Sequence, residues 1–142
     1  MTFLDTNVII DILDRKREDH AKALLLLSAA QKGAIKLAAT TQSIVDAAYV
    51  ITQAGKVPLK VFRQAMSFLC DIIQIYPVLS YDIEKANGST IPDYEDAVQL
   101  SCAMGEEFDC IVTRDKKFKG FTTIPTYTVE GYYQEVFGDF IS

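Results

Sequence analysis

The feature that most constrains this chain is the alternation of short β-branched and apolar runs with longer helical segments. Short apolar runs bounded by turn residues are typical of buried strands, and strands that alternate with helices favour a parallel sheet in α/β layers. The predicted strands are residues 2–5, 35–39, 72–76 and 109–113, with a short edge strand at 126–129. We therefore expect an α/β fold.

Helical segments occupy the intervals between these strands. Gly33 and Gly55 are expected to follow helix C-termini, Pro58 suits the first turn of a helix, and Ser80 suits an N-cap. The polar segment 14–19 is expected to be a turn between the first two helices. The predicted helices are residues 7–13, 18–32, 41–53, 58–70, 80–87, 93–106 and 131–137.

The composition argues against several classes of protein. The 142 residues suit one domain spanning 1–142, and the apolar runs are far shorter than the ~20 residues that cross a membrane. The N-terminus lacks the features of a signal peptide, and Cys70, Cys102 and Cys110 are too scattered for a disulfide framework or a zinc site. We expect a cytoplasmic protein with reduced cysteines. Because the net charge is −5, only local basic residues or a metal would attract nucleic acid.

Five aspartates fall where an α/β sheet binds its ligands, at the carboxyl ends of strands or near helix starts. Asp5 ends the first strand, and Asp115 follows the fourth. Asp93 and Asp96 are three residues apart at a predicted helix start, so they share one helical face. Asp46 lies among apolar residues in TTQSIVDAAYVI. An unpaired charge in such surroundings is costly.

Each of these acids also has a purely structural interpretation. Asp5 and Asp93 suit N-caps, and Asp96 suits the first turn of a helix because of the helix dipole. Asp115 suits a turn, and Asp46 suits the solvated face of an amphipathic helix. It is the convergence of five acids that favours a functional site.

Electrostatics then favours a metal. Two carboxylates ~5 Å apart repel by roughly 3 kcal/mol at an effective dielectric constant of ~20, and a divalent cation removes that penalty. Oxygen ligands without nearby histidine or cysteine select Mg²⁺ or Mn²⁺. The only histidine, His20, is expected to lie on the surface without a catalytic part.

Four blocks of the sequence resemble the PIN domain in order and spacing, and many small PIN proteins are toxin ribonucleases of the VapC type. The blocks are LDTNVIID (4–11), QSIVDAAYV (42–50), DYEDAVQLSCA (93–103) and IVTRDKKF (111–118). The resemblance implies a three-layer α/β/α sandwich with a central parallel sheet. It also implies Mg²⁺- or Mn²⁺-dependent cleavage of RNA, leaving 5′-phosphate and 3′-hydroxyl ends.

The resemblance also assigns residues to roles. The catalytic acids correspond to Asp5, Asp46, Asp96 and Asp115, and the metal ligands to Asp5, Asp96, Asp115 and the accessory acid Asp93. The polar residues that orient ligands correspond to Thr6, Asn7 and Thr113. One position departs from the family pattern, because the second acid is usually Glu and Asp46 is one methylene shorter.

The expected partners are RNA, an antitoxin protein and a second copy of the chain. Residues Arg114, Lys116, Lys117 and Lys119 form a basic cluster that suits RNA phosphates, although a solvated turn would have the same composition. Apolar residues on two predicted helices, beyond those needed for the core, suit a homodimer face or a groove for an antitoxin helix. These are Leu24, Leu25, Leu26, Leu27, Phe62, Phe68 and Leu69.

Two other functions compete with the ribonuclease. A phosphatase of the haloacid-dehalogenase type also uses an Asp after its first strand, but it needs a second Asp two residues later, where this chain has Asn7. A receiver domain, a weaker variant of this idea, needs an Asp after a middle strand, where Tyr76 and Pro77 stand. A PIN scaffold that has lost catalysis and acts as a binding module is the other alternative, for which the change at Asp46 leaves room.

Overall fold

The computed structural model describes residues 1–53, 57–106 and 108–138, and the predicted helix end at Gly55 lies outside them. The described residues form one parallel sheet of five strands in the order β3-β2-β1-β4-β5. The strands are β1 (Thr2–Leu4), β2 (Leu37–Thr40), β3 (Ile73–Tyr76), β4 (Cys110–Val112) and β5 (Thr126–Tyr127). The predicted parallel sheet is therefore confirmed, with strands slightly shorter than expected.

Seven α-helices in the described residues confirm the predicted helical segments. They are α1 (Thr6–Leu13), α2 (His20–Gln31), α3 (Thr41–Gln53), α4 (Leu59–Cys70), α5 (Ser80–Asn87), α6 (Tyr94–Gly105) and α7 (Val129–Phe137). Gly33 follows α2 as predicted, with φ +82° and its N–H donating to the Ala30 carbonyl. A glycine adopts this left-handed conformation without steric cost.

Three local predictions need correction. Ser80 is the first residue of α5 rather than its N-cap, which is Leu79, because the Asp82 carboxylate accepts the Leu79 N–H at 2.9 Å. The last helix begins earlier than predicted, since the Thr128 hydroxyl caps it, and this shortens β5 to two residues. A 3₁₀ helix at Lys116–Gly120 was not predicted.

The order of the strands brings two chain segments together at one edge. The chain builds outward from β1 through β2 to β3, then crosses back and adds β4 and β5 on the other side. Because β1 and β4 are parallel neighbours, with Leu4 opposite Val112, the residues that follow them emerge side by side. This is the switch point at which open α/β sheets bind ligands.

Alternating side chains of the strands feed two cores, one on each face of the sheet. One core joins Leu4, Leu37 and Val112 to apolar residues of α1, α2, α3, α4 and α7. The other joins Phe3 and Ile111 to α6 and the 3₁₀ helix, and α5 packs beside α6. The fold is thus the expected three-layer α/β/α sandwich. No helix within the described residues is long and apolar enough to cross a membrane.

Candidate active site

Asp5 links the first strand to the first helix at the carboxyl edge of the sheet. It is buried, with 4% of its surface exposed. One carboxylate oxygen accepts the Thr6 N–H at 2.8 Å, which caps α1, and the other accepts the Thr113 hydroxyl at 2.8 Å. Burial raises the pKa of Asp5, and the charges of Asp115 and Asp93 add to the rise against these hydrogen bonds. Asp5 is therefore both a helix cap and a member of an acidic cluster.

Thr113 connects Asp5 to the loop that follows β4. Its hydroxyl donates to Asp5 and accepts the Asp115 N–H at 3.0 Å. The Asp115 carboxylate accepts the Lys117 N–H at 2.9 Å and so caps the 3₁₀ helix. The side chain of Thr113 thereby fixes the relative position of the two strand ends.

The start of α6 adds two more carboxylates. Asp93 is the N-cap, and its side chain accepts the Asp96 N–H at 3.0 Å. The pKa of Asp96 is raised to about 7, first by burial, then by the charges of Asp93, Asp5 and Asp115 and by a hydrogen bond with Asp115. Four predicted site acids, located after β1, at the start of α6 and in the loop after β4, are therefore close enough to repel one another.

Asp46, the fifth predicted acid, meets this cluster through a residue that was not predicted. It lies on α3 and accepts a hydrogen bond from the Gln42 amide at 2.8 Å. Glu95 faces it from α6: the pKa of Glu95 is raised by burial, then by the charge of Asp46, a hydrogen bond with Asp46 and the charge of Asp5. The Thr6 hydroxyl donates to Glu95 at 3.2 Å and opposes this rise.

Glu95 could have been suspected from the sequence, since it stands between two predicted site acids in DYED. The spacing of Asp93 and Asp96 predicts that these two residues share one helical face, and Glu95 does not lie on that face. The structure shows that the neighbouring face of α6 is turned toward α1 and α3.

The predicted basic cluster is only partly available to a ligand. Arg114 forms ion pairs with Asp11 and Asp19, both at 3.4 Å. Asp11, which sequence reasoning missed, is fully buried on α1 and also accepts Arg17 Nε at 3.0 Å. The Arg17 guanidinium also donates to the amide oxygen of Asn7, a predicted site residue, at 3.4 Å. The signal for Asp11 was a lone acid in the apolar run VIIDIL.

Two lysines and the single histidine complete the surroundings. Lys117 and Lys119 are exposed on the 3₁₀ helix, while the side chain of Lys116 lies outside the described parts of the chain. His20 was predicted to be a surface residue, but it is half-buried, and its Nδ1–H donates to the Asp11 carbonyl at 2.8 Å. The prediction was wrong because α2 begins at His20 and packs this side chain against α1.

The donor set fits a hard divalent cation. Among the described residues, no three His, Cys, Asp or Glu side chains are grouped closely enough to hold a metal ion. Their chemistry nevertheless suits Mg²⁺ or Mn²⁺, which take oxygen ligands. Burial is the main cause of the raised pKa of Asp96, and the charges of Asp93, Asp5 and Asp115 add a repulsion that such a cation would offset.

Comparison with known proteins identifies the family of this chain. A model of the PIN domain matches residues 2–117. Ribonuclease VapC1 of Aquifex aeolicus (strain VF5) is 25% identical over 124 residues, covering 82% of this chain and 82% of that protein.

Two solved structures share the fold. Mycobacterium tuberculosis VapC20, a toxin that cleaves the sarcin–ricin loop, has a TM-score of 0.69 at 12% identity and covers 85% of this chain and 95% of its own. A toxin–antitoxin complex from Klebsiella pneumoniae has a TM-score of 0.64 at 18% identity, with coverages of 91% and 98%. The chain belongs to the PIN domain family, and VapC toxin ribonucleases are among its distant relatives.

Proposed function

We propose that this protein is a Mg²⁺- or Mn²⁺-dependent endoribonuclease of the VapC toxin type, acting in the cytoplasm. One observation carries the proposal: Asp5, Asp93, Asp96 and Asp115 converge at the carboxyl edge of the sheet, where burial first, and then the charges of the other three acids, raise the pKa of Asp96 to about 7. A stable fold does not require such a concentration of like charge. It is expected where a divalent cation and a phosphodiester are to be bound.

These four acids are the proposed metal ligands, with Asp5, Asp96 and Asp115 as the main set. A bound Mg²⁺ or Mn²⁺ lowers the pKa of a coordinated water and offsets charge on the scissile phosphate. Thr113 holds the Asp5 carboxylate at 2.8 Å and the Asp115 backbone at 3.0 Å, so it orients two ligands at once. Such supporting contacts fix the direction of carboxylate oxygens.

Lys117, Lys119 and the outer edge of Arg114 are the proposed contacts for RNA phosphates. The two lysines are exposed beside Asp115, and 39% of the Arg114 side chain is exposed although it is ion-paired. Lysine and arginine bind the phosphate backbone mainly through charge, so the affinity falls as salt rises. This local positive charge can attract RNA although the net charge of the chain is −5.

The competing functions find less support in the site. A haloacid-dehalogenase phosphatase needs a carboxylate where Asn7 stands, and the Asn7 amide oxygen instead contacts Arg17 at 3.4 Å. A scaffold without catalysis would have no need to keep four repelling acids at one edge. The shortened acid at Asp46 does not by itself indicate lost catalysis, since Glu95 lies against it.

An antitoxin helix is the proposed protein partner. An apolar groove of about 470 Å³ lies between α2, α3 and α4, next to the end of α1. The groove is lined by residues that include Leu24, Leu27, Ile51, Val61, Phe62 and Phe68. An amphipathic helix binds such a groove through its apolar face. One structural relative is itself part of a toxin–antitoxin complex.

A homodimer is proposed on a different surface. Val45 and Tyr49 of α3 are 64% and 67% exposed, and Leu79 and Tyr81 at the start of α5 are more than half exposed. Exposed apolar groups of this size mark interaction surfaces when they are contiguous. Gel filtration with light scattering measures the state directly, and a monomer at micromolar concentration would contradict this part of the proposal.

The experiment for the main proposal compares Asp96→Asn with Asp71→Asn. Asp71 is an exposed acid at the end of α4 and serves as a matched control. The parent and Asp71→Asn should cleave structured RNA with Mn²⁺ and stop with EDTA, and none of the proteins should hydrolyse p-nitrophenyl phosphate. Asp96→Asn should lose more than about a hundredfold in rate, since even supporting residues of metal ligands cost roughly 10–100-fold. Equal cleavage by Asp96→Asn would remove this residue from the site.

A further inference from the structure

A buried network of four polar side chains lies beneath the acidic cluster. Thr40, Ser43 and Gln99 are fully buried, and Thr6 is 7% exposed. They come from β2, α3, α6 and α1, so the network ties together four elements at the carboxyl edge of the sheet. Buried polar groups are costly unless every donor and acceptor is satisfied.

Gln99 forms hydrogen bonds with each of the other three side chains of the network. The Thr40 hydroxyl donates to Gln99 Oε1 at 2.8 Å and accepts the Ser43 N–H at 3.0 Å. Gln99 Nε2 donates to Thr6 Oγ1 at 3.0 Å and makes a short hydrogen bond to Ser43 Oγ. Both amide protons of Gln99 are thereby used.

The contact between Thr6 and Glu95 bears on the direction of the remaining hydrogen bond. The Thr6 and Ser43 hydroxyl oxygens are 2.8 Å apart, so one of them donates to the other. The Thr6 hydroxyl donates to the Glu95 carboxylate at 3.2 Å, and a hydroxyl has a single proton. When Glu95 is ionised, Ser43 therefore donates to Thr6, and the Thr6 proton is directed at Glu95. The Thr40 hydroxyl also lies 3.3 Å from Ser43 Oγ, and the shorter contact to Gln99 is taken as the one that uses its proton.

Glu95 is also better placed than Asp46 to serve the site. The charge of Asp5 acts on Glu95, and the Thr6 residue that binds Glu95 is adjacent to Asp5 in the chain. Asp46 instead contacts Gln42 at 2.8 Å and Glu95 itself. Asp46 is one methylene shorter than the Glu that is usual at its position in the family, and the side chain of Glu95 has that longer reach.

We propose that Glu95, held by the outgoing Thr6 hydroxyl, supplies the second metal-facing carboxylate of this site, and that Asp46 positions Glu95. The inference rests on the proposed metal-dependent function. It assigns the buried network a purpose, because a rigid array of donors sets the direction of one carboxylate without adding charge. If Glu95 were only a first-turn acid of α6, it would contribute through the helix dipole and would be indifferent to metal.

The test measures Mn²⁺ binding by calorimetry and by the Mn²⁺-induced rise in melting temperature, using the full chain. Glu95→Gln should lose about tenfold or more in Mn²⁺ affinity, the range for residues that orient or bind a metal, and Asp46→Asn should lose less. Glu84→Gln, which changes an exposed acid on α5, should bind Mn²⁺ as the parent does. Parent-like affinity in Glu95→Gln, or a larger loss in Asp46→Asn, would overturn the proposal.

A second set of variants in the same Mn²⁺-binding test changes Thr6. Thr6→Ser retains the hydroxyl and should retain Mn²⁺ affinity, whereas Thr6→Val should lose affinity and add little further loss when combined with Glu95→Gln. Independent, additive losses would contradict a shared role. A parent that neither binds Mn²⁺ nor cleaves RNA would refute the proposed function itself, whereas a parent that does both with an unaffected Glu95→Gln would refute only this inference.

Discussion

Two buried aspartates near opposite ends of α1 have opposite surroundings. Burial raises the pKa of Asp5, the hydrogen bonds from Thr113 and Thr6 oppose this rise, and the charges of the neighbouring Asp115 and Asp93 add to it. Burial raises the pKa of Asp11 as well, but Arg17 and Arg114 lie against it and oppose this rise. Burial alone therefore does not mark a functional acid. The sign of the neighbouring charges does, because a chain that folds without a ligand neutralises its buried charges internally.

The largest expected effect concerns metal. At Mn²⁺ concentrations about a hundredfold above its Kd, the parent should gain about 2.7 kcal/mol in the free energy of unfolding. Asp5→Asn should gain much less, and its melting temperature in EDTA should be higher than that of the parent because one repelling charge is gone. Thermal melts of both proteins, with EDTA and with millimolar Mn²⁺, measure this. A lower melting temperature for Asp5→Asn in EDTA, with no response of either protein to Mn²⁺, would leave Asp5 as a helix cap only.

The next effect concerns Asp11 and has the opposite sign. Asp11→Ala should lower the free energy of unfolding by about 2 kcal/mol, because it leaves two guanidiniums without their carboxylate. The loss is expected to be smaller than for a fully buried pair, since the Arg17 and Arg114 side chains are 27% and 39% exposed. Urea titration measures it, with Asp71→Ala as the exposed control. A changed Mn²⁺ response in Asp11→Ala would break the distinction between the two aspartates.

The smallest effect is the dependence of stability on pH. Asp96 has a pKa of about 7 in the folded chain against 3.8 as its reference value. Between these values the folded chain holds a proton that the unfolded chain has released, so stability falls as pH rises. The melting temperature of the metal-free parent should therefore decrease from pH 5 to pH 7.5, and Asp96→Asn should show a shallower decrease. A slope that is identical in the two proteins would mean that Asp96 does not titrate in this range.

Much of the fold was predictable because its signals are local. The strands and helices follow from short apolar runs and from the glycine, proline and capping residues that end or begin an element. Gly33, for example, lies at the predicted helix end. The positions of Asp5 and Asp115 at strand ends were also predictable, because parallel strands share one carboxyl edge. The errors at Ser80 and Thr128 concern helix starts, where neighbouring side chains compete for the same N–H groups.

The sequence by itself determined the order of the elements, the parallel sheet and four of the acids that meet at its edge. Only the tertiary structure decided that Glu95 lies against Asp46 and Thr6. It also decided that Arg114 forms an ion pair with Asp11, and that Gln99 joins the buried polar side chains beneath the acidic cluster. The physical reason is that strand ends are fixed by backbone pairing, which the pattern of apolar residues specifies. The side-chain partners of a helix depend instead on how that helix is rotated and packed against its neighbours, and this is settled by contacts between residues far apart in the chain.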